Sequence, residues 1–189
     1  MKKLLVTSLL CLVFGLAWAQ NYVNGYVLFA EQDTVKCQIK IGGKKADTNY
    51  YALVIKNQKG EAEDEVYKAK EGKVIGYGIR EFGAELDYRN VEISGTNDGG
   101  FFKLVDNGPN YKLYLHMVST STNGVVTTLP QYAMYKPNGE YVILTTHMLG
   151  NWKKNLRKIL ADNPKYLPEV EKVGRMEIPE FVEKLNSEG

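Results

Sequence analysis

The strongest constraint on this chain is a period of two. Over residues 22–146 apolar and polar side chains alternate with few breaks. Successive side chains of an extended backbone point to opposite faces, so the alternation predicts strands with one buried side. Candidate strands fall at 25–31, 34–41, 50–56, 65–69, 85–93, 101–105, 111–118, 125–129, 132–136 and 141–145. Asn-Gly occurs at Asn24-Gly25, Asn107-Gly108, Asn123-Gly124 and Asn138-Gly139. Both residues tolerate the positive φ of tight hairpin turns, and the last three pairs predict joins between antiparallel neighbours. Most of the 13 tyrosines lie in these runs, as suits half-buried pleated surfaces.

The period changes near His147. Leu149, Trp152, Leu156, Ile159 and Leu160 recur at helical spacing, with Lys153, Lys154, Arg157 and Lys158 on the other side. Asn163-Pro164 ends that helix, because proline disfavours helical geometry in the residue before it. Pro168 and Pro179 predict first turns of two more short helices. The expected fold is α+β and mainly β: an antiparallel roll or barrel-like sheet over 20–146, with a helical tail over 147–189 packed on it. Residues 20–189 form one domain in this reading.

Residues 1–19 read as a cleavable signal peptide. Lys2 and Lys3 precede an apolar run over 4–16, and Ala17-Trp18-Ala19 offers small residues where the peptidase inspects them. The run is shorter than the roughly 20 apolar residues of a spanning helix, so no transmembrane span is expected after cleavage before Gln20. Cys11 is not expected to carry lipid, since Leu10 stands where a small residue should precede it. The full chain has 24 Lys and Arg against 22 Asp and Glu. Without Lys2 and Lys3 the counts are equal, so the basic balance belongs partly to the signal and argues nothing about nucleic acid, and no nucleic-acid partner is expected. Cys37 is then the only cysteine, so no internal disulfide forms, and its place in an alternating run predicts a buried, inert thiol.

Gly25-Tyr26, Asp33-Thr34-Val35, Ile39-Lys40, Val74-Ile75-Gly76-Tyr77-Gly78-Ile79, Phe101-Phe102-Lys103-Leu104-Val105 and Leu113-Tyr114 carry a resemblance across most of the chain beyond residue 19. It resembles exported proteins of unknown function common in Bacteroidetes, with a β-rich segment followed by a helical end. The resemblance implies export and this fold, and brings no activity or catalytic residue with it.

Signatures of chemistry are sparse. No Gly-x-Ser-x-Gly turn occurs, and the two histidines, His116 and His147, stand in no ligand spacing. Ser119 and Ser121 lie near His116 along the chain, but closeness in a strand is no evidence of contact. Gly76-Tyr77-Gly78 has Glu81 where a dinucleotide loop needs its third glycine, and Gly42-Gly43-Lys44-Lys45 lacks the Ser or Thr of a phosphate loop. Asn97-Asp98-Gly99-Gly100 has too few ligands for calcium, and Glu61, Glu63, Asp64 and Glu65 read as a solvated loop. No metal and no cofactor are expected.

Two binding surfaces emerge. Trp152 with Lys153, Lys154, Arg157 and Lys158 would suit an anionic lipid or acidic partner. Tyr50, Tyr51, Tyr111, Tyr114, Tyr132, Tyr135 and Tyr141 would suit a stacking platform for sugars or peptides. The leading expectation is an exported, non-catalytic binding or assembly domain in the periplasm, at the outer-membrane surface or outside the cell. Its partner would be an envelope protein, a glycan or a lipid surface. The alternatives are a small envelope hydrolase built on His116 or His147, and a β-barrel carrier of an apolar ligand.

Overall fold

The computed structural model describes residues 22–31, 33–41, 48–56, 64–81, 84–92, 99–145 and 151–188. Ten strands form one antiparallel sheet: β1 (Tyr22–Phe29), β2 (Thr34–Lys40), β3 (Ala52–Ile55), β4 (Glu65–Lys68), β5 (Val74–Glu81), β6 (Ala84–Glu92), β7 (Gly99–Asn107), β8 (Lys112–Thr122), β9 (Val125–Tyr135) and β10 (Tyr141–Thr145). Their order is β10-β9-β8-β7-β6-β5-β1-β2-β3-β4. A single helical turn, α1 (Thr48–Tyr51), precedes β3, and a 3-10 turn (Ala69–Glu71) links β4 to β5. The tail holds α2 (Trp152–Ile159), α3 (Leu167–Val170) and α4 (Ile178–Ser187). The signal segment, His147 and Leu149 lie outside the described residues.

The expectation of a mainly β, antiparallel fold with C-terminal helices holds. The sheet is not closed, however: β10 and β4 are its two edges. Instead it curls twice, in opposite senses. Cross-strand register defines a front carrying Val27, Tyr77, Tyr88, Lys103, Leu115, Tyr132 and Leu144. The back carries Tyr26, Gly78, Asp87, Arg89, Phe102, Tyr114, Ala133 and Ile143.

In the N-terminal half the front is concave. Phe29 on β1 meets Tyr67 on β4 edge-on at 5.3 Å, although three strand steps would span roughly 14 Å in a flat sheet. That roll encloses Val27, Ile39, Leu53, Ile55, Tyr77, Ile79 and Phe101, and Ala69 of the 3-10 turn caps it. In the C-terminal half the back is concave. The Tyr141 hydroxyl of β10 donates to the Glu92 carbonyl of β6 at 3.1 Å, across four strand steps or roughly 19 Å if flat. Tyr50 of α1, Val91, Phe102, Tyr114, Ala133 and Tyr135 fill this second roll.

The helices cover the front of β8, β9 and β10. Trp152, Leu156, Ile159, Leu160, Ile178, Phe181, Val182 and Leu185 join Leu113, Tyr132, Met134, Val142 and Leu144 in one core. Side-chain amides pin the tail down. Asn155 donates to the Ile143 carbonyl at 2.8 Å. Asn186 accepts from the Tyr111 N–H at 2.8 Å and donates to the Tyr111 carbonyl at 3.0 Å.

Three local features differ from the sequence reading. Residues 48–51 are helical, so β3 starts at Ala52 and not at Tyr50. The segment with Gly76 and Gly78 is β5, an interior strand. Bare Cα atoms are needed there, since a side chain on Gly78 would run into the ring of Tyr26. Finally, β9 passes unbroken through Pro130, which faces Met117. Counting back from the Asn123-Gly124 turn, where both residues have positive φ, Met117 and Pro130 form a non-hydrogen-bonded pair, so the missing N–H costs β8 nothing.

Beyond Leu115 the β7–β8 ladder ends, and beyond Gln131 the β9–β10 ladder ends. Among the described residues the β8–β9 pair continues alone as a ribbon to its turn. It carries no charged side chain from 117 to 130, and Val125 and Val126 are each 66% exposed.

Candidate functional site

Polar groups converge at the mouth of the C-terminal roll. Arg89 projects from the back of β6, exposed at its tip, and its guanidinium lies 4.7 Å over the Tyr135 ring. Its positive charge also pulls on the phenols of Tyr114 and Tyr135. Beneath it those two tyrosines are buried, edge to face at 5.4 Å. Tyr141 stacks on Tyr135 at 4.7 Å and stays half-exposed. Two residues along β6, Asp87 accepts the Tyr26 hydroxyl at 2.5 Å. Gly78 stands between them in the register and leaves room for the ring.

The electrostatics keep these phenols protonated. Burial pushes Tyr135 up to about 12, overriding the pull of Arg89. Burial also raises Tyr114 against the same pull. Burial and the bond to Asp87 push Tyr26 up to about 12. At neutral pH the cluster is therefore a cation among neutral phenols, of which Tyr26 donates to Asp87 and Tyr141 to the Glu92 carbonyl. Among the described residues no carboxylate pairs with Arg89 within 4.0 Å. Asp87, its neighbour on the same face, is engaged by Tyr26. Such a site can hold an acceptor-rich group by charge-assisted hydrogen bonds. It is poorly suited to proton abstraction, because a base must be free to accept near working pH.

The surfaces expected from sequence are placed differently. Trp152 is 6% exposed and belongs to the core under the helices. Lys153 donates to the Glu171 carbonyl at 2.5 Å, and Arg157 pairs with the Glu171 carboxylate. Lys154 and Lys158 alone of the five keep exposed heads without a recorded partner among the described residues. The tyrosine platform is split as well. Tyr111 and Tyr132 lie on the front under the helices, Tyr114 and Tyr135 in the back core, and Tyr51 is 54% exposed.

His116 lies on β8. It is half-buried on the back, stacked on Tyr50 at 3.5 Å with 13° between the planes, and tilted against Phe102 at 5.6 Å. Tyr50 reaches it across Gly100, where any side chain would overlap the phenol ring. Ser119 lies on the front and shares a hydrogen bond with Thr128 at 2.9 Å, so it does not meet His116. Among the described residues no three His, Cys, Asp or Glu side chains gather as a metal site would require. No helix among them is long and apolar enough to cross a membrane.

Sequence reasoning missed Tyr26, Asp87 and Arg89. The only signal for Asp87 and Arg89 was charge at alternate positions of one strand, which usually marks a solvated face. Comparison with models of protein families, with curated proteins and with solved structures gave no match.

Proposed function

We propose that this chain is an exported, non-catalytic binding domain of the cell envelope or the space outside it, and that the mouth of the C-terminal roll is its ligand site. One observation carries the reading. Arg89, Asp87 and the phenols of Tyr26, Tyr114, Tyr135 and Tyr141 meet at the rim of an interior that is otherwise apolar. Binding sites typically show a few polar groups converging on an apolar ground. Export rests on residues 1–19 and on the resemblance to exported proteins of Bacteroidetes, with cleavage before Gln20. The partner would be an envelope glycan, protein or lipid surface.

The test uses the mature chain, immobilised and exposed to envelope extract. Retention of an envelope component should fall when Tyr26 and Tyr141 are both changed to alanine. Retention that ignores this change, and is lost instead with Lys154→Glu and Lys158→Glu, would move the site to the exposed lysines of α2. Mass spectrometry of the exported protein should find Gln20 at its N-terminus. An intact Met1 would overturn the export reading.

A further inference from the structure

Resting on that ligand site, we propose that the ligand is an acidic sugar whose carboxylate is held by Arg89. Among the described residues Arg89 has no carboxylate partner. Its guanidinium rests over the Tyr135 ring and near the Tyr114 phenol. These contacts orient the group without neutralising its charge. A planar guanidinium seated over an aromatic ring has N–H groups at its edge for a planar, two-oxygen acceptor. A carboxylate is such an acceptor, and its single charge matches that of Arg89.

Asp87 sets the limit on charge. It lies two residues away on the same face, with Oδ1 held by the Tyr26 hydroxyl. Its negative charge disfavours a multiply charged group such as phosphate. Its remaining oxygen is an acceptor for a hydroxyl. The site thus presents one guanidinium for one negative charge beside an acceptor for an alcohol, flanked by the half-exposed rings of Tyr26 and Tyr141. A uronic acid carries those groups on one ring: a carboxylate, hydroxyls, and C–H faces that pack on aromatic carbon. A peptide fits less well. Its main chain is recognised by adding a strand to an open sheet edge, whereas β6 is paired on both sides by β5 and β7.

The test titrates the isotopically labelled mature chain and follows the Arg89 side-chain N–H and the rim tyrosine rings by NMR. Sodium glucuronate should give a saturable shift of these signals that weakens as salt is raised. Glucose, N-acetylalanine and inorganic phosphate should each bind weaker by about tenfold or more, since each lacks the charge, the ring or the single charge. Arg89→Gln should abolish the glucuronate response. That variant also loosens Tyr135, so Asp87→Asn provides an independent arm: it leaves Arg89 in place, removes the opposing charge, and should raise phosphate binding relative to glucuronate several-fold. Equal responses to glucose and glucuronate would overturn the inference, as would an N-acetylalanine or phosphate response matching glucuronate, or an Asp87→Asn variant whose preference for glucuronate over phosphate is unchanged. If the rim still retains an envelope component while glucuronate fails, the acidic-sugar inference falls and the ligand-site reading stands. Loss of both would sink both.

Discussion

Phe101 and Phe102 are consecutive residues of β7, and they belong to different cores. Phe101 is 3% exposed in the front-facing N-terminal roll, packed edge-on to Tyr77 at 5.2 Å. Phe102 is fully buried in the back-facing C-terminal roll beside Tyr50. The reversal of curvature passes through this strand, and exposed Lys103 then separates the N-terminal front core from the one under the helices. Replacing either phenylalanine by alanine should cost about 3–5 kcal/mol, as aromatic deletions in cores do. Hydrogen exchange should tell the two apart: Phe101→Ala should first weaken protection in β1 and β5, and Phe102→Ala in β8 and β9. Identical exchange patterns would show that the two rolls do not behave as separate cores.

Alkaline pH should destabilise the fold. Burial pushes the Cys37 thiol from 9.0 up to about 11, and Tyr26 and Tyr135 from 10.0 up to about 12. Between roughly pH 9 and 12 the unfolded chain therefore holds fewer protons than the folded one, and stability falls as pH rises. Melting temperature should drop through this window, with thiolate and phenolate absorbance appearing together with loss of structure. Phenolate absorbance developing fully near pH 10 in a folded sample would contradict it. At neutral pH the same burial should make thiol labelling of Cys37 slow until the chain is unfolded.

The helical tail is part of the core it covers. Trp152→Ala should cost about 3–5 kcal/mol, because the ring is buried between α2 and the sheet. Ending the chain after Thr145 should uncover Leu113, Met134, Val142 and Leu144 and produce aggregation in light scattering. A monomeric truncated chain with unchanged melting would show the tail to be an appendage.

His116 should matter for packing. Its stack on Tyr50 lies in the range where aromatic pairs contribute about 0.5–1.5 kcal/mol beyond area burial. His116→Gln should lose stability of that order, while His116→Phe should stay close to wild type. Zinc bound by the native chain and lost from His116→Gln would show instead that the ring is a ligand.

The projecting ribbon is an association hazard. Uncharged, exposed strand pairs invite further pairing, and natural proteins usually protect them with lysine. Val126→Lys should reduce concentration-dependent association, with a stability change within about 0.5 kcal/mol. Unchanged association would clear the ribbon.

Alternation made most strands legible, and the three later Asn-Gly pairs marked real turns. What it left out has physical causes. Residues of β5 were passed over because Gly76 and Gly78 interrupt the apolar run, although their bareness is what lets Tyr26 and β6 approach. Pro130 split one strand into two because parity within a hairpin is invisible until its turn is fixed. Alternation also tells which residues share a face, but not which face is concave. The curl that encloses Tyr114 and His116 and brings Arg89 over Tyr135 therefore leaves no trace in the periodicity.

The central place of β1 has a consequence for how the chain is made. Among the described residues the first strand to emerge during synthesis lies in the interior of the sheet, between β2 and β5. Its pairing with β2 is local and can form at once. Its other edge must wait until Val74 and the residues after it have appeared. For that interval the growing chain carries an open, apolar strand edge. A holding factor that shields nascent chains would have its longest task here, over the stretch that separates Phe29 from its eventual neighbour.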